Sequence, residues 1–198
     1  MSNWVKRLVW LPAEDPENPY PYEVLDCRAA YAALALATRN EMASEAVATI
    51  ERIVESCPSA VMVADSLSVS CAIRLCCCHN RSNGSRFVVP GIGHKWLLEI
   101  AEASILARRR WTGQLVHVAE FEALDECLII KRLTSQVQSV YGSADYAVAE
   151  IEFLLRTYLE RAACAFPIPP GLNRREVSRI AVSGWKMHGS IAQFARFL

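Results

Sequence analysis

The stretch from Trp96 to Thr134, WLLEIAEASILARRRWTGQLVHVAEFEALDECLIIKRLT, decides the fold. Trp96 to Ile100, Ile105 to Arg110, Gln114 to Glu120 and Cys127 to Thr134 are short runs rich in apolar and β-branched residues. Between them lie only Glu102-Ala103-Ser104, Trp111-Thr112-Gly113 and Glu122 to Glu126. Connections this short predict an antiparallel β-meander, because a parallel return needs a crossover of roughly a dozen residues.

Upstream, Leu67, Val69, Cys71, Ile73 and Leu75 alternate with Ser68, Ser70, Ala72 and Arg74, the period of a half-buried strand. Asn80 to Ser85 reads as a turn, since Asn-Gly tolerates positive φ. Thr38 with Glu41 forms a capping-box pattern that predicts a helix start. Ala43, Ala46, Val47, Ile50, Ile53 and Val54 then recur at helical spacing, and Pro58 ends the run. Closer to the N-terminus, Trp4 to Leu11 predicts a strand, the prolines at 12, 16, 19 and 21 an extended loop, Tyr22 to Arg28 a second short strand, and Ala29 to Ala37 a helical turn.

Downstream, Val148, Ile151, Leu154, Leu155, Tyr158, Leu159 and Ala162 form an amphipathic helix that starts near Ala144 and is stopped by Pro167, Pro169 and Pro170. Asn173 with Glu176 predicts the opening of a last helix through about Met187, burying Val177, Ile180, Ala181 and Trp185. Strands followed by helices predict an α+β fold, an antiparallel meander packed with amphipathic helices, with residues 1–198 as a single domain.

Hydrophobic residues are 53% of the 198 and charged residues 21%, enough apolar side chain to offset chain entropy. The formal net charge is zero, which argues against nucleic acid as the main partner. No run approaches the roughly 18 uncharged apolar residues of a membrane span, and Lys6 and Arg7 interrupt the N-terminal stretch. A cytoplasmic protein without a membrane partner is expected. Eight cysteines are present. Three of them, Cys76, Cys77 and Cys78, are consecutive, which suits no ordinary disulfide framework, so reduced thiols are expected.

Candidate chemistry is sparse. Cys71, Cys76 to Cys78 and His79 lack a second short ligand pair, so no metal is expected. His79, His94, His117 and His188 are scattered, no G-x-S-x-G occurs, and Gly91-Ile92-Gly93-His94 lacks the rest of a dinucleotide fingerprint. Cys27, between Asp26 and Arg28, reads as part of a strand on which the two charges share a face. No catalytic residue and no cofactor are assigned.

Three stretches together resemble a family of small bacterial proteins: Asn18-Pro19-Tyr20 followed by Val24-Leu25-Asp26-Cys27-Arg28; Lys95-Trp96 through Arg109-Arg110-Trp111-Thr112-Gly113-Gln114-Leu115; and Ala147 to Leu155. The sequence departs from that family at Ser104-Ile105-Leu106-Ala107, where an aromatic-rich segment is usual. The resemblance implies a sheet packed with helices and transfers no catalytic residue. By analogy with proteins encoded beside secreted toxins, it implies an immunity role.

The concentrated basic patch is Arg108, Arg109 and Arg110 with Trp111, and Lys131 and Arg132 on the adjacent strand. Guanidinium forks and an indole suit recognition of carboxylate or phosphate groups on a partner. The same cations could instead pair internally with Glu99, Glu120 and Glu122. Partner-binding candidates are therefore Arg108, Arg110 and Trp111, with Glu14, Asp15 and Glu17 as an acidic alternative. The leading expectation is a non-catalytic cytosolic binding protein, an immunity protein that occludes a cognate toxin encoded nearby. The competing expectations are an enzyme whose site assembles from Glu99, Arg108, Arg110, His117 and Glu120, and a structural subunit of a larger assembly.

Overall fold

The strands expected between Trp96 and Thr134 pair with one another in the order in which they occur. The computed structural model describes residues 7–39, 65–76, 83–87, 93–124 and 127–198. Its larger sheet runs β3 (Ser66–Leu75), β8 (Cys127–Gln136), β7 (Leu115–Leu124), β6 (Ser104–Arg109), β5 (Trp96–Ala101) and β4 (Arg86–Phe87), every neighbouring pair antiparallel. Alternation sends one residue in two inward. Leu98, Ala107, His117, Ser135 and Leu67 follow one another in register across five strands, as do Ile100, Ile105, Ala119, Leu133 and Val69 one pleat further on.

Register shifts between Ala107 and Arg108 on the β6–β7 ladder, where Ala107 faces His117 but Arg108 faces Leu115. Val116 is the extra residue, and both it and His117 are fully buried. A bulge of this kind re-aims side chains next to it. At the other end of the sheet the Asn83-Gly84 turn adopts the expected positive φ, +85° at Gly84, and Asn83 Oδ1 accepts from Glu102 N at 2.9 Å.

A second sheet, in the order β1 (Val9–Leu11), β2 (Val24–Asp26), β10 (Phe194–Arg196), β9 (Phe166–Pro167), joins segments far apart in sequence. β10 is antiparallel to β2 and parallel to β9. In the proline-rich loop between β1 and β2, Asn18 Nδ2 donates to the carbonyls of Leu11, Pro12 and Tyr22 at 3.1, 2.8 and 2.8 Å. Pro167 sits in the edge strand β9, where a missing N–H is tolerated.

Helix α1 (Arg28–Arg39) begins where only a helical turn was expected. Cys27 O accepts from Tyr31 N, and Asp26 Oδ1 accepts from Arg28 N at 2.9 Å, which satisfies donors of the first turn. Asp26 and Arg28 thus pair with each other at a helix start, Oδ2 to Nη2 at 2.8 Å, rather than with neighbouring strands. Thr38 consequently lies in the last turn of α1 and does not open a helix. The rest of the helix expected from Ala43 to Val54, and Cys77, Cys78, His79, Gly91 and Ile92, lie outside the described residues.

Helix α2 (Ala144–Leu155) is capped by Ser143, whose hydroxyl accepts from Tyr146 N at 3.2 Å, and runs on as a π-helical turn over Arg156–Glu160. It lies against β3 and β8. Helix α3 (Val177–His188) starts one turn later than the Asn173 pattern predicts. Asn173 N and Nδ2 do meet Glu176 Oε2, at 2.9 and 2.7 Å, but they close a turn ahead of the helix. Its Gly184 lies where a Cβ would come within 2.4 Å of both Phe166 Cζ and Tyr31 Oη. Leu25, Tyr31, Leu98, Ile130, Ile151, Phe166, Ile180 and Ala195 belong to one apolar cluster, so both sheets and all these helices share a core.

Candidate functional site

Strand register and helix ends bring a set of polar groups together inside that core. His117 on β7 and Ser135 on β8 are directly opposite, and His117 Nδ1 lies 2.8 Å from Ser135 Oγ. Helix α2 brings Glu150 over them, one turn beyond Tyr146 on the same face. Glu150 Oε2 is 3.3 Å from His117 Nε2, and Oε1 is 3.7 Å from Nε2 of His188, the last residue of α3. His117, Ser135 and Glu150 are 0% exposed and His188 1%.

The helix end is held by the sheet. Trp96 Nε1 and Arg109 Nη1 donate to Met187 O at 2.8 and 2.6 Å, supplying donors to a carbonyl in the last turn of α3. Trp96 and Arg109 are themselves cross-strand partners, with the guanidinium carbon 3.8 Å from the indole centroid. Gly189 follows with φ +73°, and a Cβ there would fall 1.6 Å from Gly93 O, so only glycine allows the helix to end this close to the strand. Trp96, His117 and His188 stack, with centroids 5.6 and 6.3 Å apart from the indole.

Charge in this cluster is set by competition. Burial alone would raise the Glu150 carboxyl, but the imidazoles of His117 and His188 and the Arg109 guanidinium outweigh it and hold the group below its ordinary value. Burial drives His188 down to about 4, opposed by Glu150 and assisted by Arg109 and His117. Tyr146 is pushed up by burial and by the Glu150 charge. The histidine contacts are close enough for ion pairing yet are not aligned as hydrogen bonds. Among the described residues, Glu150 Oε1 and Oε2 and Tyr146 Oη have no hydrogen-bond partner.

Ser135, His117 and Glu150 carry the residue types of an acyl-transfer triad, but the serine is on Nδ1, the carboxylate faces Nε2, and all three are sealed from solvent. No substrate carbonyl reaches Ser135 in this structure. A metal reading fares no better. Trp96 Nε1 also points to His188 Nδ1 at 3.3 Å, so the neutral ring carries its proton on Nε2, where a metal would have to bind. Among the described residues no group of three His, Cys, Asp or Glu side chains is placed to hold a metal ion.

The expected partner-binding residues separate. Arg108 is 4% exposed, lies in register between Leu97 and Leu115, and donates from Nη1 to Gly113 O at 3.3 Å. Arg108 is therefore not the exposed anchor expected: Leu97 and Leu115 flank it across the sheet, and its guanidinium turns back to the Gly113 carbonyl. Arg110 and Trp111 remain half-buried on that turn, beside Lys95, whose Nζ is 5.2 Å from the Trp111 ring centroid. Burial lowers Lys95, and burial with the Arg110 charge lowers His94. Lys131 and Arg132 instead pair with Glu122 and Glu120, at 3.0 and 3.7 Å, and Glu99 with Arg86 at 3.7 Å. On the proline-rich loop Glu14 is exposed, Asp15 accepts from Glu17 N at 2.8 Å, and Glu17 pairs with Arg28 at 3.1 Å.

The dispersed set Glu99, Arg108, Arg110, His117 and Glu120 is not brought together, since His117 faces the core while Glu99 and Glu120 take the opposite face. Sequence reasoning did not single out Glu150 or Trp96 as site residues, placed Arg109 only in the basic patch, and counted His188 only among four scattered histidines. One signal was available: Glu150 falls on the stripe of Ala147, Ile151 and Leu154, where a carboxylate must find compensation. Among the described residues no helix is long and apolar enough to cross a membrane. Compared with family profiles, curated proteins and solved structures, the chain matches none.

Proposed function

We propose that this chain folds as a single α+β domain and acts as a non-catalytic binding protein, an immunity protein of the cytoplasm that occludes a toxin through the basic, tryptophan-bearing turn after β6. The observation that carries the reading is the sealing of Ser135, His117 and Glu150. Where nucleophile, imidazole and carboxylate meet, they join sheet to helices instead of facing a substrate. Cationic and aromatic side chains that suit a partner lie instead at the turn: Lys95, Arg110 and Trp111. Their sign fits an acidic face on the partner. The resemblance to small bacterial proteins and the net charge of zero support the same reading.

The test is co-purification with the product of the adjacent gene, with growth rescue in cells expressing that product. Arg110→Glu and Trp111→Ala are expected to weaken binding and rescue, while Glu14→Lys leaves both unchanged. Loss at Glu14 with retention at Arg110 would move the surface to the proline-rich loop and imply a basic partner. If the wild-type chain neither binds nor protects, the immunity reading is dropped.

A further inference from the structure

We propose that Cys76 and Cys127 form a dithiol that closes to a disulfide when the protein meets a low-molecular-weight disulfide such as oxidised glutathione. Consecutive cysteines suit no regular framework, but the relevant partner of Cys76 is remote in sequence. Leu75 of β3 faces Leu128 of β8, so continuing the antiparallel register sets Cys76 opposite Cys127. Directly opposed residues of antiparallel strands have Cα atoms about 4.5–5.5 Å apart, inside the span a disulfide bridges. The two sulfurs are in contact at 3.4 Å.

The two thiols differ in the way a two-step exchange needs. Cys76 is exposed and Cys127 only 7% exposed, so an external disulfide reaches Cys76 first. Arg74 Nε points at Cys127 Sγ from 3.4 Å, a donor and positive charge that favours the thiolate there. Cys76 is also fixed at the backbone, its N–H donating to Glu160 Oε1 at 2.7 Å. Other described cysteines are turned to backbone carbonyls: Cys27 to Leu25, Cys71 to Ile130 and Cys164 to Ala165.

In the first step Cys76, whose thiol the neighbouring Cys127 raises above its ordinary value, loses its proton to solvent and attacks one sulfur of the small disulfide, forming a mixed disulfide and expelling one small thiolate. Cys127, with the Arg74 guanidinium beside its sulfur, then gives up its proton and attacks the Cys76 sulfur, forming the protein disulfide and expelling the second thiolate. The cysteine pair loses two electrons and two protons, and the small disulfide is reduced to two thiols. The new bond ties the edge strand β3 to β8.

Full-length reduced protein is incubated with oxidised glutathione, quenched with acid over a time course, alkylated and mapped by peptide mass spectrometry. The expected result is transient glutathione on Cys76 followed by a Cys76–Cys127 link, with glutathione persisting on Cys76 in Cys127→Ser. Arg74→Gln should slow the second step by roughly threefold to tenfold and leave the first unchanged. The exposed-site variant Cys76→Ser should form no link to Cys127. Glutathione that persists on wild-type Cys76, or a link mapping to other cysteines, would overturn the proposal. Because the wild-type time course is decisive alone, a Cys127 variant that fails to fold does not remove the test.

Discussion

Two cation–aromatic pairs lie next to each other in sequence and on opposite sides of the protein's boundary. Arg109 over Trp96 is inside, at 3.8 Å; Lys95 over Trp111 is on the turn, at 5.2 Å. Each residue of one pair is adjacent in the chain to a residue of the other, or one removed. Such a contact is worth about 2 kcal/mol when desolvated and about 0.5–1 kcal/mol when exposed. The inner pair also supplies donors to the end of α3 and shares in the field around Glu150. The outer pair is half-buried at the turn. Residue type thus does not separate the two pairs; the inner one lies under the end of α3 and the outer one on the turn after β6.

If the interior cluster is structural, removing its carboxylate should be the most damaging change. Glu150→Ala leaves the buried Arg109 guanidinium without its counter-charge and the two histidines without their carboxylate neighbour, and a loss of about 3–5 kcal/mol is expected in denaturant unfolding. Glu150→Gln, which keeps the volume, should cost less. A small effect from both would mean that the cluster is not a structural junction.

Acid should weaken the interior most, with a smaller loss at His94 beside the turn, which burial and Arg110 also lower. His188 is held at about 4 in the folded state, below its usual 6.5, so between those values the unfolded chain binds more protons. Stability is therefore fully present above about pH 6.5 and lost as pH falls toward 4, by a total on the order of 3 kcal/mol. Glu150, depressed in the folded state, adds a further loss at lower pH. Thermal melts from pH 7 to 4 should show this slope, and His188→Gln should flatten its upper part.

Gly184→Ala tests packing away from either cation pair. With Tyr31 and Phe166 buried against the site, an added methyl should cost about 1–3 kcal/mol by urea unfolding. Substitutions at the turn bring the smallest change. Arg110→Gln and Lys95→Gln should alter stability by about 0.5–1 kcal/mol or less while reducing partner affinity. Arg108→Gln, at a buried position of the same hairpin, should instead destabilise by about 1–3 kcal/mol. Equal effects at positions 108 and 110 would erase the distinction between the two regions.

The larger sheet was legible because alternation over β5 to β8 and β3 is long enough to show its period, and Glu102-Ala103 and Trp111 to Gly113 leave no room for a crossover. Helices α2 and α3 were legible from their apolar stripes. The second sheet was not: β9 and β10 have two and three residues, too few to carry a period, and their pairing depends on partners remote in sequence. Thr38 misled because a capping pattern is local, while Cys27 and Asp26 had already started a helix upstream. The interior cluster was unreadable for a related reason. Register sets Ser135 against His117, but only the docking of α2 and the end of α3 brings Glu150 and His188 to them.

The position of β10 between β2 and β9 also sets a schedule for synthesis. On a ribosome the larger sheet can pair strand by strand as β5 to β8 emerge, but β2 must remain without its inner neighbour until Phe194 to Arg196 have been made. During that interval Leu25 and Phe166, both fully buried in the finished protein, are committed to strands whose shared partner does not yet exist. A nascent chain arrested before Phe194 should therefore hold a protease-resistant larger sheet and a cleavable first forty residues or so, a pattern that pulse proteolysis of stalled chains would reveal.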